Sequence, residues 1–303
     1  MTASAGAQPL LAPAGAPSPP STPGIAGTPG IAGTPVPSGA PRPAGASAMA
    51  AAVTAQRTPA QGSALLGVLR RAVGADPLVG DALEHYVDAV GQREVGRRLS
   101  VLRHRSGPTP PWHLLHDLPL GALEGDPAER ADHVLLGPGG AYAVTTLHLP
   151  GSRVRAARTG LVVDGERAEH LRRAQRRARA VQQLLARACG VDVPVRAVVV
   201  VLGAERLALP LRTGDVAVLR APVLVRWLRR QPRVLDAATA ARLATAARDL
   251  QAGADQPVGQ AADAFEELHE RVRAADRLRR AWFVALAVAG STGVTTLLAA
   301  VSP

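Results

Sequence analysis

The stretch ADHVLLGPGGAYAVTTLHLPG, residues 131–151, decides the fold. Asp132 heads a short apolar run at 134–136. A Gly-Pro-Gly-Gly turn follows at 137–140, and a second apolar run over 141–146 leads to Gly151. Two β-rich runs around a tight Gly/Pro turn read as a hairpin. The turn holds more residues than a two-residue connection needs, so a short bulged loop is expected.

Outward from the hairpin the chain alternates strands and helices. Upstream, residues 112–118 read as a strand carrying His113 and His116, which at that spacing face opposite sides. Before it, residues 63–105 carry helical stripes: Leu65, Leu66, Leu69, Val73, then Leu83, Val87, Val90, Val95, Leu99, Leu102. Asp76 before Pro77 can cap the second of these helices. Downstream, residues 151–166 read as a strand pair, with Arg153, Arg155 and Arg158 alternating with small residues. Residues 170–189 form a strong helix whose inner stripe is Leu171, Ala174, Ala178, Val181, Leu184 and Leu185. Arg172, Arg173, Arg176, Arg177 and Arg179 crowd the rest of that helix. Residues 193–202 suit the buried centre of a sheet. A short strand at 214–219 and helices at 222–230 and 237–250 complete an α/β order with a mixed sheet flanked by helices.

The pattern DHVLLGPGGAYAV resembles the signature of the NERD family, the nuclease-related domain. Supporting matches fall in order: Glu94 in REVGRRL, the strand WHLLHDLPL, and Gln175 in HLRRAQRRARAVQQLL. The resemblance covers roughly residues 90–228. It implies a restriction-endonuclease-like fold with a PD-(D/E)xK site, and relict catalytic positions at Glu94, Asp132 and Gln175, with Asp132 as the metal ligand. The departure from the family lies on the second hairpin strand. The acid-x-Lys positions there are Thr145 and Leu147. Such chemistry needs carboxylates to hold a divalent ion and a Lys to orient water. The chain contains no Lys at all, and Arg does not readily give up its proton. The expectation is therefore a nuclease fold with a degraded site.

The net charge is +11 over 303 residues, which favours a polyanionic partner, nucleic acid or anionic lipid. An Arg-only, Ala-rich composition also fits a coding bias without function. The candidate nucleic-acid contacts are Arg153, Arg155, Arg172, Arg173, Arg176 and Arg177; a solvated helix face is the alternative. With 2% aromatic residues, base stacking on single strands is disfavoured. The single Cys189 excludes an intramolecular disulfide and reads as a small apolar helix residue.

Five regions follow. Residues 1–61, rich in Ala, Pro, Gly, Ser and Thr, read as a disordered tail, because they cannot bury enough apolar surface to offset their ordering entropy. Residues 62–90 are a helical lead-in, and residues 91–250 are the NERD-like domain. A linker and a charged helix occupy 251–280. Residues 281–301 carry no charge and follow Arg277, Arg279 and Arg280, with Trp282 at the start. That is the pattern of one transmembrane helix with the main domain on the cytoplasmic side of the cell membrane. The reading is a membrane-anchored protein that acts by binding. The alternatives are a divalent-metal nuclease using Asp132, Glu94 and His148, or a membrane scaffold without a nucleic-acid role. No cofactor is implied, and Mg²⁺ or Mn²⁺ enters only with the nuclease alternative. The sequence names no protein partner.

Overall fold

The computed structural model describes residues 41–57, 78, 80–103, 111–121, 129–157, 160–208, 215–252 and 258–301, with side chains to residue 288. The elements run α1 (Ala46–Arg57), α2 (Asp81–Ser100), β1 (His113–Pro119), β2 (Arg130–Gly137), β3 (Gly140–His148), β4 (Arg153–Ala157), β5 (Gly160–Val163), β6 (Glu166–Ala168) and α3 (His170–Cys189). They continue with β7 (Val195–Leu202), β8 (Arg206–Ala208), β9 (Ala217–Arg220), a 3₁₀ turn (Ala221–Val223), α4 (Leu224–Arg229), α5 (Ala237–Ala252) and α6 (Val258–Val301).

The result is a mixed α/β architecture with two mixed sheets. The larger has the order β1-β2-β3-β7-β9, with β1, β2 and β3 antiparallel and β3, β7 and β9 parallel. Its strands are apolar on both faces because both are covered. Val134, Leu136, Ala143, Val199 and Val201 share one core with Leu171, Ala174 and Val181 of α3 and Leu243 and Ala247 of α5. Leu135, Tyr142, Val144, Val198 and Val200 share another with Val95 and Leu99 of α2 and Leu224 and Leu228 of α4. Side chains alternate across a strand, so successive residues of β2 and β3 feed different cores.

The hairpin closes more tightly than its sequence suggests. Gly137 pairs with Gly140, so Pro138 and Gly139 alone make the turn. The strands reach this far because Gly137 lies under the indole of Trp112: a Cβ there would stand 2.5 Å from the ring.

The smaller sheet, β6-β5-β4-β8, grows from the strand pair expected at 151–166 and adds β8, which the sequence did not announce. Val154, Ala156, Leu161 and Leu207 turn into the core shared with α3. Arg153, Arg155, Arg167 and Arg206 turn outward and are exposed. The register puts these four on one face: Arg153 pairs with Arg206, Arg155 with Val162, and Val162 with Arg167.

Three expectations on domain limits need correction. Residues 41–57 are not part of a disordered tail. Ala46, Met49 and Ala52 of α1 are buried against Ala82, Tyr86 and Ala89 of α2 and Phe265 and Leu268 of α6. Ala has the highest helix propensity, and its small side chain leaves no apolar stripe to notice in the sequence. The buried Arg42 guanidinium fixes the segment from the other side, on Asp117 of β1 at 3.0 Å. The boundary drawn between residues 90 and 91 falls inside α2, and Asp76 lies outside the described residues. Charged helix and expected membrane span are one continuous helix, α6. Its docked start holds Phe265, Leu268 and the ion pair Arg93–Glu266 at 2.7 Å. Beyond it, Trp282, Phe283, Val284, Leu286 and Val288 are exposed. Among the described residues no helix is long and apolar enough to cross a membrane; the side chains of residues 289–301, most of the expected span, lie outside them.

Candidate functional site

Asp132 lies in the middle of the fold, on β2, with Thr145 and Leu147 on the neighbouring strand β3. The pairing of His133 with Val144 carries on to place Asp132 opposite Thr145. All three point to the sheet face covered by α3. The expected acid and the two acid-x-Lys positions are thus brought together.

The chemistry around Asp132 is unlike a metal centre. Its carboxylate is buried. Oδ2 accepts the Thr146 backbone N–H at 2.7 Å, and Oδ1 faces Arg177 Nη1 at 3.3 Å. Arg177 reaches in from α3, and its Nε also donates to Glu129. Burial pushes the Asp132 carboxyl up to about 6, opposed by the Arg177 charge and the Thr146 hydrogen bond. Burial alone would lower the Arg177 pKa, but Asp132, Glu129 and Asp88 outweigh it and the value is raised. Asp88, on α2, keeps an exposed surface; protein on its other sides raises its pKa by desolvation, against the charges of His85 and Arg177.

A divalent ion needs several free oxygen donors at short range. Both Asp132 oxygens are engaged, Thr145 offers a neutral hydroxyl, Leu147 packs into the core, and a guanidinium stands beside the carboxylate. Among the described residues no three His, Cys, Asp or Glu side chains gather as a metal site. The donor set as it stands does not fit a divalent ion.

The remaining expected residues are dispersed. Glu94 is on the surface of α2, paired with Arg97 at 2.9 Å and Arg98 at 2.7 Å. Gln175 is half-buried on α3. His148 Nδ1 lies 2.9 Å from the Val87 carbonyl of α2, an approach permitted by Gly91, where a Cβ would stand 2.6 Å from that of His148. Arg172, Arg173 and Arg176 are exposed on α3, Arg172 paired with Glu169. Arg177 differs from them: its side chain is 17% exposed. Sequence carried a signal for this. At 100° per residue Arg177 projects between Val181 and Leu184, inside the apolar arc of α3.

One polar pair was missed. His116 Nδ1 and His133 Nδ1 lie 2.7 Å apart, and His133 Nε2 is 3.3 Å from Thr146 Oγ1. Burial, together with the Arg103 charge, lowers His116 to about 4; burial and then His116 hold His133 well below the usual range. Only the pairing of β1 with β2, His116 opposite His133, brings them together.

Residues 88–202 match the model of NERD, the nuclease-related domain. The matched stretch runs from α2 through β7, and Asp132, Thr145, Leu147, Gln175 and Arg177 all lie inside it. The match begins where the resemblance did and ends at Leu202, short of the expected 228. No curated protein and no solved structure matches the chain.

Proposed function

We propose that this chain is a membrane-tethered NERD-domain protein whose restriction-endonuclease-like core does not hydrolyse and acts by binding nucleic acid. One observation carries the reading: Asp132 lies opposite Thr145 with Leu147 two residues on, where the family resemblance implies an acid and a Lys, and its carboxylate is tied to the Arg177 guanidinium. The basic outer face of the small sheet and the exposed arginines of α3 support a polyanionic ligand. Arg155, Arg167 and Arg206 are paired with no carboxylate among the described residues. None of the exposed large apolar side chains lies on that sheet, so this face could meet an anionic lipid surface only through its charge. The exposed apolar residues of α6 beyond Arg277, Arg279 and Arg280 support tethering, with the domain on the cytoplasmic side. Glu94, tied to two arginines, gives no support to the metal-nuclease alternative.

The test uses the full chain in non-ionic detergent. Supercoiled plasmid with Mg²⁺ or Mn²⁺ should stay uncut by the wild type and by Asp132→Ala alike. Cleavage that Asp132→Ala abolishes sinks the reading. A short duplex should bind with strong salt dependence. Four phosphate contacts give a log–log slope of roughly −3.6, a loss of about 100-fold between 50 and 200 mM salt. Binding to anionic vesicles without duplex binding would instead favour a lipid scaffold.

A further inference from the structure

Asp132 belongs to a cluster of carboxylates gathered under α3 around one guanidinium. Asp132 and Glu129 converge on one guanidinium, and Asp88 of α2 adds its field from a third element. Nominally that is three carboxylates to one cation. Surface ion pairs of this composition are common and worth little, but this one is not on the surface: Asp132 is 7% exposed. A carboxylate so placed must have a counter-charge or take up a proton. Arg177 is the cation that the described residues place there, and it comes from a helix position inside the apolar arc, where an aliphatic residue would pack.

We infer that Arg177 is the resident cation of this pocket: its guanidinium occupies the place of a divalent ion between Asp132 and Glu129 and keeps the pocket closed to one. The inference rests on the non-hydrolytic reading and gives it a cause beyond the absent Lys. It also makes a claim that a simple structural tie between α3 and β2 would not. Replacing Arg177 by a neutral residue leaves two carboxylates facing one space with no counter-charge. Two carboxylates completed by water are a sufficient protein contribution for Mg²⁺ or Mn²⁺. The neutral variant should therefore acquire a cation site that the wild type lacks.

The experiment is thermal unfolding of the full chain in non-ionic detergent, with and without MnCl₂, with bound Mn²⁺ counted by electron paramagnetic resonance. Wild type should show no Mn²⁺-dependent rise in Tm. Arg177→Gln should unfold at lower temperature without metal. Mn²⁺ at a hundredfold excess over its Kd should raise its Tm by about 5–10 °C. Arg177→Gln combined with Asp132→Asn should not respond. A Mn²⁺ response in the wild type that Asp132→Asn removes overturns the inference, because the pocket is then open. An Arg177→Gln protein that binds no Mn²⁺ overturns it equally. Should Arg177→Gln fail to fold without metal, refolding in MnCl₂ is the readout: recovery supports the inference and failure to recover rejects it. An unresponsive Arg177→Gln with an uncut plasmid rejects the inference alone; Asp132-dependent plasmid cleavage by the wild type rejects the non-hydrolytic reading.

Discussion

Replacing His116 by Gln should flatten the acid side of the stability profile. The wild-type pair shares a contact of 2.7 Å between two Nδ1 atoms, so one ring donates and the other accepts. The rings meet edge to face, with centroids 4.9 Å apart. Burial disfavours a proton on the His116 ring, and the Arg103 charge adds to that. Folding therefore favours the neutral form, and His116 falls from 6.5 to about 4. The sign follows: a depressed His stabilises the fold above its unfolded pKa, and that contribution is lost as pH falls from 6.5 towards 4. The full shift is worth about 3 kcal/mol, of which about 2 kcal/mol is gone by pH 5. Asp132 works the other way. Its pKa is raised from 3.8 to about 6, so its contribution is complete below 3.8 and is lost as pH rises through 6; going from pH 7.5 to 5 it adds back about 1 kcal/mol. The Asp132 contribution offsets part of the His116 loss in the wild type, so the profile of the wild type alone isolates neither. The comparison that isolates the pair is urea unfolding of wild type and His116→Gln, followed by Trp fluorescence at pH 7.5 and 5. The variant should lose about 2 kcal/mol less than wild type over that interval. Parallel profiles for the two proteins would refute the reasoning, because the pair would then be titrating as it does in the unfolded chain.

Two further perturbations probe how the helices are held. Phe265→Ala removes a fully buried ring that lies 5.6 Å from Tyr86 and beneath the Arg93 guanidinium; it should cost about 3–5 kcal/mol, and protease should then reach the start of α6 faster than in wild type. Asp117→Asn keeps the shape and the left-handed backbone, φ 55°, that Asn tolerates, but strips the counter-charge from buried Arg42. A loss of about 3–5 kcal/mol is expected, with earlier tryptic cleavage at Arg57; unchanged proteolysis would mean that α1 is held by its apolar contacts alone.

Much of the scaffold was legible because local physics fixes it. The 3.6-residue stripe from Leu171 to Leu185 marked α3 to the residue. The near-continuous apolar run from Val193 to Leu202 marked a strand buried on both faces, and the Gly-Pro-Gly-Gly turn marked the hairpin. That Thr145 and Leu147 are neither acid nor Lys was likewise plain from residue type. The helix α1 was not legible, because an Ala-rich segment between prolines has the composition of an unfolded chain until α2 and α6 supply a surface for Met49 and Ala52.

Sequence alone determined which residues could carry charge and most of the strands and helices, since these depend on neighbours within one or two turns. Tertiary structure decided which charges meet. Arg177 and Asp132 are 45 residues apart, Arg42 and Asp117 are 75 apart, and Tyr86 and His269 are 183 apart. Whether an Arg faces solvent or a buried carboxylate depends on the sheet register and the helix laid across it. That is why Arg177, one of six arginines along α3, is the one that faces the buried Asp132 carboxylate.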